Sequence, residues 1–161
     1  IKYLIGNHDF LHRNFFQDYL GVEVIATEVE VSINKKRFFL GHGDGLVKND
    51  LGYKILKSIL RNKFIQMIYS LIHPDFGIWL AKNTSKKSRD FTNEKNYGEI
   101  DGLLETAKIK IDNGFDYVIF GHSHKREITK YKEGYYINLG AWLDQPCYGR
   151  FKENKFDIIN W

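Results

Sequence analysis

Three strand-like runs in this chain end in the same way. Tyr3-Leu4-Ile5 leads into Gly6-Asn7-His8-Asp9, Phe38-Phe39-Leu40 into Gly41-His42-Gly43-Asp44, and Tyr117-Val118-Ile119-Phe120 into Gly121-His122-Ser123-His124. Aromatic and β-branched residues suit a pleated, half-buried strand. A glycine at the end lets the backbone turn sharply, and the carboxyl ends of strands are where open α/β sheets place ligands. An α/β fold with three loops meeting at one edge is therefore expected. Each loop offers an Asn amide oxygen or a neutral imidazole nitrogen, donors that suit a borderline-soft divalent cation. One such histidine alone would as readily cap a strand or fill core, but three in the same context predict a shared metal site.

Composition bounds the answer. With 161 residues, 43% hydrophobic and 16% aromatic, the chain is long enough for a single core and too apolar for disorder. The lone Cys147 excludes a disulfide framework and suits a reducing compartment. No stretch reaches the ~18–20 uninterrupted apolar residues of a membrane span.

Charge is unevenly spread. Residues 48–89 hold nine basic side chains, among them Lys54, Lys57, Arg61, Lys86 and Arg89, against Asp50 and Asp75. That is a surplus of seven, while the rest of the chain has a deficit of three. Clustering of one sign predicts an anionic partner, either a phosphate-bearing substrate or an acidic membrane surface. Nucleic acid is not expected, because the apolar faces between these charges do not resemble base-stacking platforms.

Outside this segment the α/β rhythm is regular. Val22 to Ile33 and Arg37 to Leu40 read as two strands joined at Asn34-Lys35-Lys36. Tyr97, Ile100, Leu103, Leu104, Ala107 and Ile111 recur at helical spacing, with Gly114 as the stop. Glu127 to Lys132 and Tyr135 to Leu139 flank Glu133-Gly134 as a hairpin, and Phe156 to Ile159 reads as a last strand.

Residues 48–90 interrupt that rhythm as a helical insert within one domain spanning 1–161. Ile55, Leu56, Ile59 and Leu60 line one side of a first helix, and Lys54, Lys57 and Arg61 the other. After Asn62, Phe64, Ile65, Met67, Ile68, Tyr69, Leu71 and Ile72 surround the helix almost completely. Such a segment must be buried in protein or must meet something as apolar as an acyl chain or a bilayer surface. His73-Pro74-Asp75 stops it, because Pro cannot extend the hydrogen-bond ladder, and Phe76 to Leu80 begins another short helix.

The three loop strings resemble the last three of five motifs in the calcineurin-like metallophosphoesterases, over essentially the whole chain. The resemblance implies a four-layer α/β sandwich with a helical cap. It makes Asn7, His42 and His122 ligands of one divalent ion and His124 a ligand of another, with Mn²⁺ the expected metal. His8 then stands where the family has its catalytic histidine, or in some members an Arg, and Asp9 where the family has the residue that orients it. Asp44 is expected to support His42 by a hydrogen bond. The family's first two motifs, an Asp-x-His and a Gly-Asp that supplies a bridging carboxylate, have no counterpart ahead of Ile1. A fragment lacking an N-terminal part, and inactive alone, is the expectation.

Within that superfamily, His42-Gly43-Asp44-Gly45-Leu46, Asn49-Asp50-Leu51-Gly52-Tyr53, Asn83 to Arg89 and Leu139-Gly140-Ala141-Trp142 are most similar to the branch that hydrolyses UDP-2,3-diacylglucosamine. That likeness implies cleavage of the diphosphate to UMP and 2,3-diacylglucosamine 1-phosphate. The substrate is a nucleotide-linked glycolipid, met at the cytoplasmic face of the inner membrane by a peripheral protein. Asp50, Ser85, Lys86, Arg89 and His122 become the substrate-holding residues, Lys and Arg being natural donors to phosphate. His12 and His73 have no such context and read as surface or helix-end residues. Two alternatives stay open: the same fold acting on another phosphodiester or nucleotide, and a non-catalytic remnant of it.

Overall fold

A computed structural model of the chain describes residues 1–7, 9, 15–46, 51–80, 82–83 and 97–161. The centre is a five-stranded mixed sheet in the order β3-β4-β5-β7-β6. Its members are β3 (Val29–Ile33), β4 (Lys36–Leu40), β5 (Tyr117–Phe120), β6 (Arg126–Tyr131) and β7 (Gly134–Leu139). The apolar runs Phe38 to Leu40 and Tyr117 to Phe120 form parallel neighbours, with Leu40 opposite Ile119, and β7 is parallel to β5 with Asn138 opposite Phe120. Continuous apolar strands of this kind are what a sheet covered on both faces requires.

Both faces are covered. On one, Leu103, Ala107 and Ile111 of α4 (Tyr97–Asp112) pack on Phe39, Val118, Phe120 and Tyr136, so the helical periodicity read from the sequence is the core-facing stripe. Gly114 ends that helix at φ +88°, a left-handed position where glycine carries no steric penalty. On the other face, Phe38, Tyr117 and Ile137 meet Phe151, Phe156 and Ile158 of the hairpin β8 (Cys147–Lys152) and β9 (Lys155–Asn160). The sequence reading found β9 but not β8, whose exposed residues at 148–150 give it no apolar alternation.

One expected strand is two. The run Val22 to Ile33 breaks into β2 (Glu23–Ile25) and β3, and β2 leaves the main sheet to pair in parallel with β1 (Lys2–Leu4). The break at 26–28 is where the chain changes sheets, and the exposed Ala26 carbonyl there accepts from Arg61 at 2.7 Å. A helix that the reading missed, α1 (Phe15–Leu20), precedes β2 and stacks Phe16 on Tyr3 at 4.6 Å between ring centroids.

The insert is helical, as expected. α2 (Leu51–Arg61) stops where Asn62 accepts from the backbone of Phe64 at 2.9 Å and of Ile65 at 3.3 Å, capping α3 (Lys63–Ser70). A further helical stretch covers 74–80, so Pro74 opens a helix as well as separating it from α3.

The sequence pattern leaves open which face of α2 meets the body. Lys57 and Arg61, one turn apart, face the protein body, while Ile55 and Ile59 are exposed at 58% and 47%. On α3 and beyond, Phe64, Met67, Leu71 and Trp79 are also exposed, Leu71 at 80%. Burial of this apolar segment as ordinary core is therefore excluded for these side chains. On the body side of α2, Lys57 reaches the buried carboxylate of Asp44, described next.

Candidate metal centre

The three strand ends converge. Gly41 N donates to Ile119 O at 3.1 Å and Gly121 N to His42 O at 3.0 Å, so the loops after β4 and β5 are zipped together beyond the end of the sheet. His42 and His122 meet with ring centroids 5.2 Å apart at 70°. Asn7 arrives from the smaller sheet, with its Oδ1 3.0 Å from His42 Nε2. Close approach needs Gly6, since a Cβ there would lie 3.1 Å from both His42 Cε1 and Asp9 Oδ2. Asp9 closes the turn by accepting from Gly6 N at 2.8 Å. Burial, then its hydrogen bond to Asp9, pushes the Tyr3 phenol up to about 12.

The histidine loop is under strain. His122 at φ +62° and His124 at φ +55° both occupy the left-handed region, uncommon for a side-chain-bearing residue although Asn, Asp and His enter it more readily than others. Such outliers persist where the surroundings over-determine them, and they concentrate at functional sites. What holds this loop is Asn138, fully buried at the end of β7, which donates to the Gly121 carbonyl and accepts from Gly140 N at 3.0 Å. The sequence reading did not single it out. Its signal was a lone amide inside Tyr135-Tyr136-Ile137-Asn138-Leu139, because a polar group buried in a covered sheet must be paired. Asn138→Leu is expected to strand both backbone groups, costing about 2 kcal/mol. In a chain of this size that lowers Tm by roughly 4–8 °C in a calorimetric scan.

Burial, with a smaller contribution from His122, lowers the pKa of His42 below its ordinary 6.5. The ring is thus held neutral, the form that binds metal. Because the folded value lies below the unfolded one, this group's share of stability is complete above about 6.5 and is lost as pH falls through the folded value. Titration of the His42 ring proton by NMR should accordingly give a midpoint below that of a free histidine.

The donors fit a divalent cation. Asn7 Oδ1 and His42 Nε2, a hydrogen-bond distance of 3.0 Å apart, are an amide oxygen and an imidazole nitrogen, both donors that such a cation accepts. Among the described residues no three His, Cys, Asp or Glu side chains gather closely enough to hold an ion by themselves, so the cluster is two imidazoles and one amide. His124, on the same loop, is exposed and is not gathered with His42 and His122. His8, Asp50, Ser85, Lys86 and Arg89 lie outside the described residues, as does His12. His73 is a surface residue beside Asp75 at 3.5 Å.

A family model described as calcineurin-like phosphoesterase matches residues 1–126, the stretch holding all three strand-end loops. The chain belongs to the calcineurin-like phosphoesterases. It is a member of a family of hydrolases that use divalent metal ions. It is 25% identical over 166 residues to the UDP-2,3-diacylglucosamine hydrolase of Proteus mirabilis, covering 98% of this chain and 68% of that one. It is 26% identical over 166 residues to the protein of that name from Porphyromonas gingivalis, covering 92% and 63%. The chain spans about two thirds of the length of these relatives. A solved archaeal phosphodiesterase aligns at 17% identity and a TM-score of 0.49, covering all of this chain and 68% of that one.

Asp44 also joins the loop to the insert. Its carboxylate, 4% exposed, takes an ion pair from Lys57 Nζ at 2.8 Å, and the same ammonium donates to its carbonyl at 3.1 Å. The residue expected to steady His42 by a hydrogen bond is thus also the docking point of the insert, and acts on His42 through its charge.

Proposed function

We propose that this phosphoesterase cleaves the diphosphate of UDP-2,3-diacylglucosamine, releasing UMP and 2,3-diacylglucosamine 1-phosphate. The observation that supports this most is the outward apolar surface of the insert, fixed by Lys57 to the loop that bears His42. A substrate with acyl chains at one end and a diphosphate at the other needs those two surfaces side by side. Relatives named for that reaction agree with it.

In this reading Asn7, His42 and His122 hold one ion and His124 contributes to a second, with Mn²⁺ the expected metal. Bound there, the ions would neutralise the phosphate and lower the pKa of a water molecule. His8, aligned by Asp9, stabilises charge on the transferred phosphoryl group or protonates the leaving oxygen. Asp50, Ser85, Lys86, Arg89 and His122 hold the nucleotide and sugar phosphates. The insert also attaches the protein reversibly to the anionic cytoplasmic surface of the inner membrane. In this reading attachment is by the apolar face of the insert; no helix among the described residues is long and apolar enough to cross a membrane.

The test is product analysis with Mn²⁺. Release of UMP from UDP-2,3-diacylglucosamine, at a kcat/KM well above that for the unacylated UDP-sugar, is the expected result. Equal turnover of the two would assign the site to a nucleotide or phosphodiester without lipid.

A further inference from the structure

We infer that Lys57 is a positioning residue that ties the insert to the metal-binding loop, so that the geometry at His42 depends on the insert being docked. This rests on the reading of His42 as a metal ligand.

The loop after β4 is built to turn its acid inward. Gly43 at φ +107° and Gly45 at φ +75° flank Asp44, and these left-handed positions bend the chain so that the carboxylate points into the protein. Gly43 also has no room for a side chain, since a Cβ would lie 3.2 Å from Leu103 and 3.4 Å from His122 Cβ. The loop is therefore packed against both the central helix and the other histidine loop.

A buried carboxylate is tolerable only when paired. Lys57 supplies the pairing twice, to Oδ2 and to the backbone carbonyl. Side chain and main chain of one residue are thereby fixed by one ammonium on a different element. His42 is two residues away, and its carbonyl accepts from Gly121 N. A shift of Asp44 thus passes through His42 into the loop bearing His122. The second tether, Arg61 to the Ala26 carbonyl, lies one turn further along α2 and touches neither histidine loop.

The arrangement separates holding the insert from shaping the metal loop. Loss of Arg61 loosens α2 alone, whereas loss of Lys57 loosens α2 and removes the ion pair from a buried carboxylate two residues from His42. Changing a residue that touches no ligand but belongs to the network packed behind one shifts binding by roughly 2- to 30-fold.

The experiment is calorimetric titration of the intact protein with Mn²⁺. Lys57→Met is expected to weaken binding about tenfold, Lys57→Arg to restore most of it, and Arg61→Gln to leave it at the wild-type value. Asp44→Asn, which removes the ion pair while leaving Lys57 its hydrogen bond to the residue-44 carbonyl, is expected to reproduce the loss and so keeps the test open if Lys57→Met fails to fold. With bis(4-nitrophenyl) phosphate, a small diester that does not need the insert, Lys57→Met should raise the Mn²⁺ concentration at half-maximal rate by the same factor. Wild-type affinity in Lys57→Met or Asp44→Asn, or an equal loss in Arg61→Gln, overturns the inference. Wild-type affinity in His42→Ala overturns the ligand reading beneath it. Failure of the lipid-substrate reading appears elsewhere, as absence of UMP release, and leaves these titrations intact.

Discussion

In the full-length protein, His42→Ala and His122→Ala are each expected to reduce metal-dependent hydrolysis by about a thousandfold and to weaken Mn²⁺ binding, while His12→Ala changes neither. The two rings share a site with Asn7, whose Oδ1 is 3.0 Å from His42 Nε2. A metal ion at a phosphoryl centre supplies several kcal/mol of charge stabilisation, and each 1.36 kcal/mol is about a factor of ten in rate. Initial rates with bis(4-nitrophenyl) phosphate, at fixed Mn²⁺, measure the loss without reference to the natural substrate. Activity equal to wild type in both variants would mean that the strand-end histidines serve packing alone.

The second large effect belongs to the insert. Phe64, Met67 and Trp79 are each more than half exposed, and a fully buried side chain of this size contributes about 1.5–3 kcal/mol. Phe64→Ser together with Trp79→Ser should therefore raise KM for UDP-2,3-diacylglucosamine by at least about tenfold. Turnover of bis(4-nitrophenyl) phosphate should be unchanged. The same pair should reduce sedimentation with anionic vesicles at high salt, where screening has removed the ionic part and the apolar part remains. Lys57 and Arg61 are no longer candidates for the salt-sensitive part, because both are engaged with the protein. An unaltered KM and unaltered vesicle binding would remove the insert from substrate recognition.

What could be read in the sequence divides along a physical line. Strand ends were legible because Gly-Asn and Gly-His after apolar runs are local signals, and the fold places all three together. The core helix was legible because Leu103, Ala107 and Ile111 obey one period and bury on one face. The direction of α2 was not, because periodicity shows that a helix has two faces and says nothing about which one the body takes. The face that the body takes carries Lys57 to Asp44, a buried carboxylate seven residues before the helix begins, and no pattern within the helix records it. Asn138 was likewise missed because the acceptor it serves, the Gly121 carbonyl, is a backbone group brought near only by strand order, while its bond to Gly140 N is local.

The left-handed histidines have a consequence for engineering. A laboratory selection for heat resistance that ignored hydrolysis would replace His122 and His124 by glycine or asparagine, residues that enter that backbone region with less resistance. With these imidazoles assigned to metal as proposed, thermostability and competence pull against each other within a span of three residues. A library screened on melting temperature alone would recover well-folded proteins stripped of the imidazoles, and such a screen needs a metal-binding counter-selection from its first round.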